Sequence, residues 1–296
     1  MPARILYVGQ QVAISPYNTG VSITRYLPVQ SASCEVTRPI EDILSFGRLG
    51  SLGRIQNSVS TCRADIKTYL PLSTGVGLID DSSRTNILDT LLIQTLTGEA
   101  LNGQVSTIAV TPNGFYMSGI LTNIGVEISN GAFATASLSF AGVGEPTFSS
   151  APTGVGFTQQ TNMPATFTPV VSNYVSGAVN TGCANSFRFS LDLPNETISC
   201  LGGKTSGTQQ QVASSFSMVA KPPFKASISV EGTSVDTPSA ASGAAVFTVG
   251  RLSIQLPQGA VVSKSFNNAV GNVGASYSYS LEDVSANFSD FGLAYP

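Results

Sequence analysis

The chain has 296 residues, enough for about two domains of 100–200 residues each, and either half is long enough to bury its own core. Only 10% of residues are charged and 42% are hydrophobic, against roughly 25% charged in an average globular chain. This composition excludes a disordered chain and points to a surface covered by a second sheet or by other subunits. A net charge of −3 excludes a basic field for nucleic acid, and the absence of His removes the commonest general base and metal ligand.

From the N-terminus, residues 5–14 and 21–26 read as strands separated by a Ser-Pro-Tyr-Asn-Thr-Gly turn. The opening MPARILYVGQQ has no apolar run ahead of a small-residue cleavage site, so no secretory signal is expected. Residues 32–36 continue as an alternating strand, and Pro39 marks a strand end or edge because proline donates nothing to a central ladder. Ile40, Ile43 and Leu44 are read as a short helical turn closed by Gly47. A glycine-punctuated loop with Arg48 and Arg54 follows over 47–58, and 59–70 is the next strand. Asp80, Asp81 and Ser82 precede the one helical pattern, near 83–97, where Leu88, Leu91, Leu92 and Leu96 share a face. Residues 105–110 and 115–120 form a hairpin around Thr-Pro-Asn-Gly, and 125–128 and 133–140 form another around Ser-Asn-Gly.

No charged residue lies between Glu145 and Arg188. This run still carries Phe157, Phe167 and Tyr174, which suits an extended, packed connector over 146–185 better than a free tether. Beyond it, strands are expected near 186–193, 212–220, 224–231, 246–256 and 273–282. The fold class is therefore all-β with one flanking helix, in two units of 1–145 and 186–296.

The two halves resemble each other. A shift of 155 residues lays Pro39 on Pro194, Glu41 on Glu196, Ile43 on Ile198 and Gly47 on Gly202. It also brings Ala32, Cys34 and Val36 onto Phe187, Phe189 and Leu191, keeping the alternation in phase. A shift of 162 lays Ala64 on Ala226 and Ile66 on Ile228. Self-similarity at so long a period points to a repeated structural unit.

Tests for chemistry fail. Gly202-Gly203-Lys204-Thr205-Ser206 looks like a phosphate loop, but Ile198 stands where the motif requires glycine. The four cysteines, Cys34, Cys62, Cys183 and Cys200, form no C-x-x-C pair. Buried free thiols are expected at the inward strand positions Cys34 and Cys62, with a late disulfide in an extracellular particle as the alternative. The pairs Glu41–Asp42, Asp80–Asp81 and Glu282–Asp283 are sequence neighbours that do not converge on one site in a strand. With no G-x-S-x-G elbow and no histidine, no catalytic, metal or cofactor site is expected.

VTRPIEDILSFGRLGSLGRIQNSVSTCRADIKTYL together with FYMSGILTNIGVEISNGAFATASLSFAGVGEP resembles the tail tube proteins of long-tailed bacteriophages. FRFSLDLPNETISCLGGK, followed by a loop and KASISVEG, is similar to the same unit again. The resemblance covers most of 20–145 and 185–290 through a strand pattern with a few fixed letters. It implies two tandem β-barrel or sandwich units in a structural virion protein with no enzymatic activity and no cofactor. Single-unit relatives form hexameric rings, so a two-unit chain implies homotrimeric rings, with hexamers as the alternative. Neighbouring units would pair strand edges around a lumen. Rings would stack through the loops 47–58 and 203–222, which carry Arg48, Arg54, Lys204 and Lys221. The partners implied are tail tip or baseplate, tape measure and tail terminator proteins, with genomic DNA passing without specific binding and no membrane contact. The location implied is the virion tail, after synthesis in the host cytoplasm. Two other readings stay open at this stage: a virion decoration or receptor-binding β-sandwich, and an outer-membrane β-barrel, against which the missing signal and the 83–97 helix count.

Overall fold

A computed structural model describes residues 11–15, 25–27, 29–47, 49–56, 59–69, 106–111, 114–148, 175–177, 184–200, 215–221, 224–232, 246–249, 252–255, 261–267, 272–280 and 293–294. The expected helix near 83–97 and most of the connector lie outside these residues. The regular elements described are all strands, so the protein is all-β, and every pairing is antiparallel.

In the first half, β1 (Gln11–Ser15) and β2 (Arg25–Leu27) pair with each other. β3 (Val29–Thr37) leads into a hairpin of β4 (Ile40–Leu44) and β5 (Ser51–Gln56). The short helical turn expected at Ile40, Ile43 and Leu44 is thus a strand, and half of the expected 47–58 loop is its partner. The backbone reverses at Gly47, whose φ of 84° is costly for any residue with a Cβ. β6 (Thr61–Tyr69) shows why these segments extend: Cys62, Ala64, Ile66 and Thr68 are buried while Arg63 and Lys67 face out.

β7 (Ser106–Thr111) pairs with the first part of β8 (Phe115–Ser129). The two strands expected at 115–120 and 125–128 are one strand, bent where its register with β9 (Thr135–Val143) shifts between Leu121 and Asn123. The bend lets β8 serve two sheets. Its first part also pairs with β10 (Thr147–Phe148). Here the backbones approach closely: a Cβ on Gly142 would lie 2.0 Å from the Ser118 carbonyl oxygen.

In the second half, β11 (Val175–Gly177) belongs to a small sheet, and β12 (Ala184–Asp192) joins the main one. β13 (Asn195–Cys200) and β14 (Ser215–Ala220) form a separate hairpin. β15 (Lys225–Gly232) returns beside β12. The strand expected over 246–256 is a hairpin, β16 (Val246–Val249) and β17 (Leu252–Gln255). β18 (Val261–Asn267), absent from the sequence reading, pairs with β19 (Asn272–Ser280), and β20 (Leu293–Ala294) pairs with β17.

The strand-pairing order is the same in both halves. The run β3-β6-β9-β8 has the order of β12-β15-β19-β18, and β1-β7-β8-β10 has the order of β11-β16-β17-β20. Moving β3 by 155 residues lays its ends on those of β12. Moving β5 by 164 lays it on β14, and moving β9 by 137 lays it on β19. One offset needs correcting. Cys34 faces Ala64 and Phe189 faces Ile228, so Ala64 corresponds to Ile228, 164 residues on rather than 162. A slip of two keeps every side chain on its face, which is why alternation alone cannot detect it.

The core lies on one face of the main run. Phe140, Phe187, Phe224, Ile14 and Ile66 are its largest fully buried side chains, each contributing about 1.5–3 kcal/mol by leaving water. In the first half β1 runs against β3, and its Val12 and Ile14 are buried along with Ile108 and Val110 of β7.

Candidate assembly surfaces

The two runs join where β8 meets β12. Ile124, Val126 and Ile128 lie opposite Leu191, Phe189 and Phe187, and all six are buried. On the other face Arg188 meets Glu127 at 2.9 Å, and Asn123 Nδ2 donates to Ser190 Oγ at 3.1 Å and to the Asp192 carboxylate. Backbone bonds close both ends of the joint, Asn130 N to Asn185 O at 2.7 Å and Leu193 N to Thr122 O at 2.8 Å.

The outer limits of the same sheet are β3 and β18. Among the described residues, β3 pairs only with β6 and β18 only with β19. Their apolar positions are uncovered compared with the joint. Ala32, Cys34 and Val36 are half-buried, and Phe266 is 66% exposed. An open strand edge with apolar positions is an invitation to pair.

The face opposite the core is polar except at one end, where Ile120, Ala141 and Val143 pack with Met218. It carries Ser31, Ser33, Ser137, Ser186, Ser190, Ser227, Ser229, Ser263, Ser265 and Ser276. Its carboxylates, Glu35, Asp65, Glu127, Asp192 and Glu231, nearly balance its cations, Arg63, Lys67, Arg188 and Lys225. Several are internally paired. Arg63 contacts Asp65 at 3.0 Å, and the Asp65 hydrogen bond and charge raise the guanidinium above its ordinary value. Ser139 Oγ donates to Asp65 at 2.5 Å.

The β4–β5 hairpin is the most exposed apolar feature. Ile40, Ile43, Leu44 and Leu52 are half to three-quarters exposed, and Phe46 and Leu49 at its tip are fully exposed. Across it Arg54 Nε meets Asp42 at 2.8 Å. At its base Arg38 donates to Glu145 at 2.6 and 2.9 Å, and Ser60 Oγ donates to the same carboxylate at 3.3 Å. Those bonds hold the Glu145 carboxyl below the usual carboxylate range, Arg38 first among them, and raise Arg38 in turn. The clip ties the segments flanking β3, β6 and β9 together at one end of the sheet.

The residues singled out from sequence distribute as follows. Arg54 stands on β5, in a strand rather than a loop. Lys221 follows β14 and meets Glu196 of β13 at 2.8 Å, which raises the lysine above its ordinary value. The segment 215–220 of the second expected loop is likewise a strand. Pro39 and Pro194 each sit between a sheet strand and the hairpin that follows, and Glu41 lies on β4. Arg48, Lys204 and Gly202 lie outside the described residues. The residues the sequence reading missed are those of the β18 edge, above all Phe266, because VVSKSFN has no flanking motif. At β4 each face mixes apolar and charged residues, Ile40, Asp42 and Leu44 on one and Glu41 and Ile43 on the other, so no alternation marks it as a strand.

Cys34 and Cys62 are free thiols on adjacent strands. Burial pushes Cys62 up to about 11, with Cys34 adding to it, and raises Cys34 too. Among the described residues no group of three or more Cys, Asp and Glu is placed to hold a metal.

No protein-family model matches the chain, and no curated protein matches it.

Proposed function

We propose that this chain is the repeating subunit of a long-tailed phage tail tube, with two tube units per chain and three chains per ring. One observation carries the reading. The sheet contains an internal joint, β8 against β12, and ends in two edges that are the counterparts of its two sides. The counterpart of β8 is β18 and the counterpart of β12 is β3. The free edge of one copy therefore has the partner it needs on the next, head to tail, and such heterologous contacts form a ring when the rotation closes.

The register follows from the internal joint. Val126 faces Ala136 as Phe266 faces Val273, so Phe266 corresponds to Val126. Val126 faces Phe189, whose counterpart is Cys34. Between copies Phe266 thus lies opposite Cys34, and the exposed ring is covered. Three copies of the run β3-β6-β9-β8-β12-β15-β19-β18 supply twenty-four strands, a barrel of roughly 40–50 Å backbone to backbone at ordinary strand spacing and tilt. Its channel is lined by the serine-rich, nearly charge-balanced face. Such a wall lets a polyanion pass without the counterion release that would hold it. The role is structural, in the virion tail, with tail tip, tape measure and terminator proteins as partners.

Negative-stain electron microscopy across a concentration series, with mass photometry on the same samples, tests this. Hollow tubes or stacked rings of three chains are expected. Six chains per ring would leave the tube and remove the two-unit stoichiometry, and a monomer at every concentration would overturn the reading.

A further inference from the structure

We infer that the β4–β5 hairpin clasps a second copy of the chain sideways, laying its Ile40, Leu44 and Leu52 face on the neighbour's β18–β19 pair. This rests on the ring reading above and names a contact that reading does not require.

The hairpin needs an occupant. Ile40 is 58%, Leu44 77% and Leu52 52% exposed, a cluster of apolar groups that an isolated surface rarely carries without a partner. The chain itself supplies the precedent. The equivalent hairpin, β13–β14, follows β12 as β4–β5 follows β3. Its β14 lies against β8 and β9, where Met218 packs with Ile120 beside Ala141 and Val143. That seat belongs to the unit preceding the hairpin across the β8–β12 joint. If β3 pairs with a neighbour's β18, the same step places β4–β5 on that neighbour's β18 and β19.

The sequence changes on both sides of the contact together. Met218 faces Thr197 in the second hairpin, and their counterparts are Arg54 and Asp42, which form an ion pair. The counterparts of Ala141 and Val143, 137 residues on, are Ser278 and Ser280. Val261, opposite Ser278 as Ile120 is opposite Ala141, keeps the seat partly apolar, so an apolar plug is exchanged for an ion pair on a seat of one valine and two serines. The leucines and Ile40 flanking the pair provide the area to bury.

The test uses the full chain, with Cys183→Ser and Cys200→Ser to limit background, at concentrations where rings form. Phe266→Cys is bridged to native Cys34 with a short bis-maleimide, which reads the strand joint. In a second protein Leu52 is replaced by benzoylphenylalanine, irradiated, and its linked peptides are mapped by mass spectrometry. The expected result is a 34–266 link between copies and attachment of position 52 within 261–280 of another copy. If the 34–266 link forms but position 52 attaches elsewhere or not at all, the clasp is overturned and the ring reading stands. If neither link forms and no rings appear, both fall. As a separate measure, Leu44→Asp is expected to raise the half-assembly concentration at least about tenfold with an unchanged circular dichroism spectrum. No change in that concentration would also overturn the clasp.

Discussion

One strand joint and the two sheet edges that match its sides stand in opposite conditions. Where β8 meets β12 the apolar sides are buried, the polar sides are bridged, and both ends are closed by backbone hydrogen bonds. Where β18 and β3 end the sheet, the matching positions are left half-covered or bare. The chain holds the first joint at an effective concentration that a linker sets. The second depends on how many copies are present. In the proposed ring the same surface is a core in one place and an assembly interface in the other.

The sharpest way to break this comparison is to make the same kind of change at both joints. Phe189→Ala, at 3% exposure, should lower unfolding free energy by about 3–5 kcal/mol in a denaturant titration. Phe266→Ser, at 66% exposure, should change it by no more than about 0.5 kcal/mol yet raise the half-assembly concentration about tenfold. Equal effects on monomer stability would erase the distinction between joint and edge.

Gly142→Ala probes the bend that lets β8 serve two sheets. The added methyl meets the Ser118 backbone oxygen, which has no room to yield, so a loss of about 1–3 kcal/mol is expected, read as a lower thermal midpoint. A neutral result would mean the two strands part more easily than their pairing suggests.

A gentler probe compares thiols. With Cys62 at about 11, only about one part in a thousand is thiolate at pH 8, and thiolate is the reactive form. Maleimide labelling of Cys62 should therefore be very slow in the folded chain and rapid in denaturant. Cys34 lies at the open edge, so assembly should slow its labelling in proportion to the assembled fraction.

The smallest effect concerns the clip at the sheet end. Arg38 holds Glu145 low, so the folded carboxyl titrates below its unfolded value of about 4.3. Its contribution is present above that value and is lost as pH falls through the folded one. Arg38→Ala should move the Glu145 carboxyl back up in an NMR titration. An unchanged midpoint would show that the clip does not persist in solution.

Much of the sheet was legible beforehand. Residues 32–36 and 224–231 alternate strictly, 59–70, 105–110 and 133–140 over most of their length, and all fall on or largely within strands. The hairpin around Ser-Asn-Gly was signalled by its turn, with Gly131 at a φ of 76°. The misses share one cause. At 40–44 both faces carry apolar residues and at 261–262 two valines are adjacent, so the alternation that marks a half-buried strand is blurred. The strand read over 246–256 is split because pairing puts Val249 opposite Leu252.

By itself the sequence determined that this is a β protein without histidine chemistry, because alternation and composition are local properties of the chain. Only the tertiary structure decided which strands are neighbours, that the second offset is 164 rather than 162, and which two edges stay open. Pairing is a contact between distant segments, and a period of two leaves the register undetermined until the partner strand is in place.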